Sequence, residues 1–204
     1  MSHLTRWALL LLLGVCLAGC RDRATTQEPQ QSDEPQHVLV GQKAPLFSAS
    51  LLDEGRFDLA EVLGSKVVIL DFWATWCGPC REALPTLSEV ATEFADRGVA
   101  FYAVDLDETP AQVKAFLEQA GLELNVVLDE DNRVAMLYKA EAIPQTVIID
   151  RQGTVRYVHV GTSPDLRQRL TRELTELTSE SASSPDASQP DSAKNAPAGG
   201  PAAS

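Results

Sequence analysis

The stretch that most restricts the fold is Val67-Val68-Ile69-Leu70-Asp71-Phe72-Trp73, followed after three residues by Cys77-Gly78-Pro79-Cys80. A run apolar on both faces reads as a central strand covered on each side, because a strand with one wet face would alternate. After the second cysteine the period changes. Ala83, Leu84, Leu87, Val90, Ala91 and Phe94 fall on one side of a helix that Gly98 ends. Pro85 lies inside that helix, where it removes a hydrogen bond and kinks the axis. A buried strand that hands two cysteines to a helix start calls for an α/β fold.

The flanking segments supply the covering layers. Phe47 to Leu52 and Arg56 to Leu59, separated by Asp53-Glu54-Gly55, read as a small N-terminal β-hairpin. Val99 to Leu106 is a second buried strand. Thr109-Pro110-Ala111-Gln112 opens a helix with a cap and a first-turn proline, places Val113, Phe116, Leu117 and Ala120 inward, and stops at Gly121. Asn125 to Leu128 predicts a short strand. Asn132 to Tyr138 predicts a short helix with Val134, Leu137 and Tyr138 as apolar contacts. Thr146 to Asp150 and Thr154 to Val160 form an antiparallel pair across Asp150-Arg151-Gln152-Gly153, and a last helix carries Leu166, Leu170, Leu174 and Leu177. The expected architecture is an α/β sandwich with a central sheet flanked by helices, spanning residues 41–178.

The chemistry points to Cys77 and Cys80. Two thiols three residues apart can close a small disulfide loop, and a helix N-terminus favours the thiolate, the form that attacks disulfides. Cys77 is therefore the nucleophile, and Cys80, one turn further in, the thiol that resolves a mixed disulfide. A zinc site needs four ligands, and outside the leader the histidines His37 and His159 are isolated. A structural disulfide would gain little from so short a loop. No metal and no cofactor is called for. Asp71, six residues before Cys77 on a buried strand, is the candidate base, since burial raises a carboxylate's pKa toward neutrality.

The run Asp71-Phe72-Trp73-Ala74-Thr75-Trp76-Cys77-Gly78-Pro79-Cys80-Arg81-Glu82 resembles the active site of the thioredoxin superfamily, and its Phe-Trp-Ala-Thr-Trp form resembles the TlpA/ResA-like branch. The resemblance covers roughly residues 41 to 177. It implies a thioredoxin-like mixed sheet with the hairpin as an N-terminal extension, and protein disulfide oxidoreductase activity. It also implies that Ile143-Pro144 is a cis-proline loop facing the cysteines and offering backbone groups to an extended substrate. Trp76 flanks the nucleophile as part of the docking surface, while Trp73 belongs to the core. The sequence departs from the family pattern at several places. Asp71 stands where many TlpA/ResA-like members have asparagine. Ala142 and Gln145 replace the glycine and threonine common around the proline, which bears on substrate docking. Ala83 occupies a place where several relatives have glutamate, and Glu82, one residue earlier, is read as solvated rather than functional.

The chain opens with a basic n-region and an apolar stretch, Trp7 to Leu17, too short to span a bilayer. It ends in Leu17-Ala18-Gly19-Cys20, which resembles the lipobox of bacterial lipoproteins. Residues 1–19 are then a signal peptide, Cys20 is the lipidated first residue, and residues 20–40 are a flexible polar tether. The mature chain lies outside the cytoplasm, where disulfides persist. It is expected in the bacterial envelope, periplasm-facing, held to membrane by its lipid. Residues 179–204, rich in Ser, Ala, Pro and Asp, are expected to be disordered.

A formal net charge of -12 argues against nucleic acid, whose phosphates call for basic patches. The expected partners are disulfide-containing envelope proteins and a membrane electron donor of the thiol-transporter kind, with the protein itself a monomer. Gly-Pro between the cysteines resembles thioredoxin, whose couple is reducing. The expected activity is therefore reduction of protein disulfides, with cytochrome c maturation among the pathways relatives serve. Two other readings use the same thiols. One is a copper-binding metallochaperone-type lipoprotein, for which no histidine matches. The other is a peroxidase of the peroxiredoxin kind, whose Pro/Thr context around the peroxidatic cysteine is absent at Cys77.

Overall fold

The computed structural model describes residues 37–180 apart from residue 107. The signal segment, Cys20, most of the tether and nearly all of the tail lie outside the described residues. The expected strand and helix order is observed. Seven strands, β1 (Ser48–Leu51), β2 (Arg56–Asp58), β3 (Val67–Trp73), β4 (Val99–Leu106), β5 (Val126–Asp129), β6 (Gln145–Ile149) and β7 (Val155–Val160), form one sheet in the order β2-β1-β5-β4-β3-β6-β7. Its centre, β5-β4-β3, is parallel, and the remaining pairs are antiparallel. The helices are α1 (Leu59–Val62), α2 (Gly78–Glu93), α3 (Pro110–Ala120), α4 (Arg133–Leu137) and α5 (Leu166–Glu180).

All seven residues of β3 are buried, as its composition requires. The strand's alternation sorts them into two cores. Val67, Ile69 and Trp73 pack with Cys80, Leu84, Leu87 and Val90 of α2 and with Leu170, Leu174 and Leu177 of α5. Val68, Leu70 and Phe72 meet Phe47, Phe57, Leu59, Val104 and Tyr138 on the other face. At roughly 25 cal/mol per Å² of apolar surface removed from water, these two layers are the main force holding the sheet. Arg167 of α5 also reaches Glu89 and Glu93 of α2, but those side chains are half-exposed, where ion pairs contribute little.

The helix of the cysteine motif ends where its sequence stops being compatible with it. A 3-10 turn, Ala95–Arg97, leads to Gly98 at φ 83°. A side chain there would be strained by the backbone, and its Cβ would stand 2.8 Å from Arg151 Nη2, which donates to the Arg97 carbonyl at 2.7 Å.

Several expectations need correction. Leu59 starts a one-turn helix rather than ending a strand, because Asp58 caps it: Asp58 Oδ1 accepts from the Ala60 N–H at 2.9 Å, while Oδ2 accepts from the Ser48 hydroxyl at 2.8 Å. The expected hairpin β1–β2 is present as an N-terminal extension, and β1 pairs with β5 to add it to the main sheet. Residues 37–40, expected to belong to the tether, form a turn with Leu39 packed on the second core. Leu137 is exposed and Ala135 takes its inward place. The cause is the shortness of α4, which Asp129 starts by accepting from the Val134 and Ala135 N–H groups at 2.9 and 2.8 Å. Burial pushes the Asp129 carboxyl above its usual range, and these two bonds oppose that shift. Ala120 is exposed, because the last turn of α3 runs off the edge of the core at Gly121.

Candidate active site

Cys77 is the N-cap of α2 and forms a disulfide with Cys80, their Cα atoms 5.3 Å apart. The Cys80 N–H points at Cys77 Sγ at 3.2 Å, so one of the unpaired amides of the helix start is aimed at the sulfur that would carry charge. Cys77 keeps 6% of its surface in solvent and Cys80 none. An incoming sulfur can reach the first cysteine and not the second. Trp76, immediately before, is 70% exposed, and Trp73 is fully buried against Phe116 at 5.3 Å between ring centroids. That difference supports a docking place for one and a core place for the other.

The cis-proline loop lies at the same end of the sheet. Phe72 of β3 is in register with Gln145 of β6, so Pro144 falls beside the point where β3 leaves for the motif. The Ile143–Pro144 peptide is cis. Pro144 O accepts from the Gly161 N–H at 2.8 Å, whereas among the described residues no hydrogen bond engages the Ile143 N–H or C=O. Those two groups are open to an extended chain laid alongside. Gln145 is placed differently from its expected role in docking. It is buried, and its Nε2 donates to the Tyr138 carbonyl at 2.9 Å, tying the loop to the end of α4. Its side chain acts on the loop from behind and does not face a substrate.

Asp71 is wholly buried, on the face of β3 that carries Ile69 and Trp73 toward α2. Its Oδ1 accepts from the Thr146 hydroxyl at 2.7 Å, and Oδ2 has no hydrogen-bond partner among the described residues. Desolvation pushes its pKa up to about 7, with the Thr146 bond pulling the other way. A carboxylate buried without a cation is costly unless it can take up a proton, and this one is set to do so near neutrality. Glu82 is exposed on α2, as expected.

Sequence reasoning did not single out Glu108. It follows β4, is 6% exposed, and accepts from the Thr75 N–H at 2.6 Å and from the Thr75 hydroxyl. A glutamate among acidic neighbours just before a helix carries no signal of its own. Only the parallel pairing of Trp73 with Asp105 brings the segment after β4 beside the loop before Cys77. Among the described residues no group of three or more His, Cys, Asp or Glu side chains is placed to hold a metal ion, and no helix is long and apolar enough to cross a membrane.

Residues 40–158 match the model of the AhpC/TSA family. The thiol-disulfide oxidoreductase ResA of Bacillus thuringiensis (strain Al Hakam) is 33% identical over 122 residues, covering 60% of this chain and 70% of that protein. The thioredoxin-like protein YneN of Bacillus subtilis (strain 168) is 34% identical over 138 residues, 65% of this chain and 79% of its own length. Among solved structures, a thiol:disulfide interchange protein described as DsbE from Chlorobium tepidum superposes with a TM-score of 0.64 at 32% identity, over 68% of this chain and 97% of that one.

Proposed function

Taking as premise that the chain belongs to the AhpC/TSA family and is a TlpA/ResA-like, thioredoxin-fold thiol–disulfide oxidoreductase, we propose that it reduces protein disulfides in the bacterial envelope through Cys77 and Cys80. The observation that carries this reading is the pair of cysteines at the start of α2, one sulfur reachable and the other sealed beneath the helix. In the reduced protein the Cys77 thiolate attacks a target disulfide, forming a mixed disulfide and expelling one target thiolate. Asp71 takes the proton from Cys80. The Cys80 thiolate then attacks Cys77, which breaks the mixed disulfide and releases the second target sulfur. Two electrons pass to the target, and the Cys77–Cys80 disulfide that remains is recharged by an external dithiol.

The open Ile143 peptide supports docking of the target as an added strand, with Trp76 covering its other side. Pro144 contributes the shape of that loop. The Gly-Pro pair between the cysteines favours the reducing direction. Equilibration of the Cys77–Cys80 couple in glutathione buffers should place it nearer thioredoxin, at about −270 mV, than DsbA, at about −120 mV. A value in the DsbA range reverses the direction. The family name does not by itself assign peroxidase chemistry, because here the resolving thiol lies three residues from the nucleophile and on the same helix.

Tethering rests on Leu17-Ala18-Gly19-Cys20, which supports a lipid on Cys20, with the recharging donor then in the same membrane. Labelled palmitate fed to cells that express the protein should tag the wild type and not Cys20→Ala. A wild type that takes up no label would refute the anchor.

A further inference from the structure

Glu108 holds the strand-to-helix loop from outside the cysteine motif. Its two carboxylate oxygens grip one residue, Thr75, by the backbone N–H at 2.6 Å and by the side-chain hydroxyl. Both oxygens are thus engaged by a single residue. Thr75 is two residues from Cys77, a span of at most about 7 Å between Cα atoms. Among the described residues, other charged groups at this end of the sheet include Asp71, Asp105 and Asp129, buried on β3, β4 and β5, and Arg81 and Glu82, exposed on α2. The Arg81 guanidinium is drawn over the Phe116 ring, 5.6 Å from its centroid.

We propose that Glu108 is a positioning residue for Cys77 that fixes the Ala74–Trp76 loop and, through its negative charge, keeps the Cys77–Cys80 couple reducing. The inference rests on the disulfide-reductase reading of the same site. Reduction of the bridge breaks the S–S bond and takes up two electrons and two protons, and loss of one proton from Cys77 then leaves its thiolate. An anion held beside the loop disfavours that thiolate. The reduced form loses part of the stabilisation that the helix start would give it, so the disulfide is favoured and the dithiol gives up its electrons more readily. The helix N-terminus and Glu108 thus act in opposition on one sulfur.

Two substitutions separate charge from geometry. Glu108→Gln keeps an acceptor for the Thr75 N–H and offers its amide to the hydroxyl, while removing the charge. Its equilibrium with glutathione should shift roughly three- to tenfold toward the dithiol, and the pH midpoint of Cys77 alkylation should fall. Thr75→Val removes the hydroxyl that partly neutralises the carboxylate and leaves the charge in place, so it should move both readouts the opposite way. A merely structural role would lower the melting temperature of both variants and leave potential and alkylation profile at the wild-type values. That result, or shifts of the same sign in both variants, overturns the proposal. Both readouts need only the two thiols, so they report on Glu108 even if the wild-type protein reduces no protein disulfide in a turnover assay, which would instead count against the function.

Discussion

Cys80→Ala is expected to abolish turnover and to accumulate a one-to-one covalent complex between the protein and whatever disulfide it attacks. The argument is geometric. Cys77 retains solvent access and the Cys80 amide aimed at its sulfur, and neither depends on the Cys80 thiol. The first exchange therefore proceeds. The second cannot, because the only sulfur in line to displace the target is gone and no other cysteine lies among the described residues. Non-reducing gels of envelope extracts should show a ladder of higher-mass species that collapses with dithiothreitol. Cys77→Ala should show neither ladder nor turnover. A Cys80→Ala variant that traps nothing, beside a wild type that reduces nothing, would remove the catalytic assignment of this pair.

Asp71→Asn should slow the release of that mixed disulfide about a hundredfold around and just above neutral pH, toward the lower end of what a positioned base supplies. With the carboxyl pushed up to about 7, wild-type release should rise through that pH as Asp71 loses its proton, and the Asn variant should lack this limb. The two rates converge at alkaline pH, where Cys80 ionises without help. The same substitution should stabilise the fold. The native state holds a proton on Asp71 up to about pH 7, whereas the unfolded chain releases it near 3.8, so stability falls as pH rises between those values. Above pH 8 the wild type carries the full cost, up to roughly 4 kcal/mol for a shift of this size. Urea unfolding at pH 5 and pH 8 should therefore show a gap between variant and wild type that widens markedly at the higher pH. A variant that is less stable at both pH values, with release unchanged, would mean that Asp71 serves packing alone.

How far the sequence reached is clearest at three places. Strand β3 was legible to the residue and α2 in its position and buried stripe, since burial on both faces and a helical period leave few alternative structures, whereas the end of α2 was read at Gly98 and lies at Glu93, before a 3-10 turn. Asp71 was legible because an acid within an apolar run has to be explained. Gln145 and Glu108 were not, for a common reason: each acts on a partner brought close by sheet register, across to Tyr138 in one case and to Thr75 in the other. Nothing local in the chain encodes those pairings. Leu137 illustrates the opposite error, where hydrophobicity alone placed a side chain inward and the capped, five-residue α4 turned it out.

The two outermost strands have a bearing on life at crowded density. One border, β2, is three residues long and carries Arg56 and Asp58. The opposite border begins under the Gly41–Lys43 segment, which trades hydrogen bonds with Val155 and bridges Thr154. Vacant amide rows are what let neighbouring molecules zip into ribbons, and charge, brevity and a covering segment are the usual ways of denying them. The short charged border and the covered start of β7 therefore leave less bare backbone for a second copy to pair with.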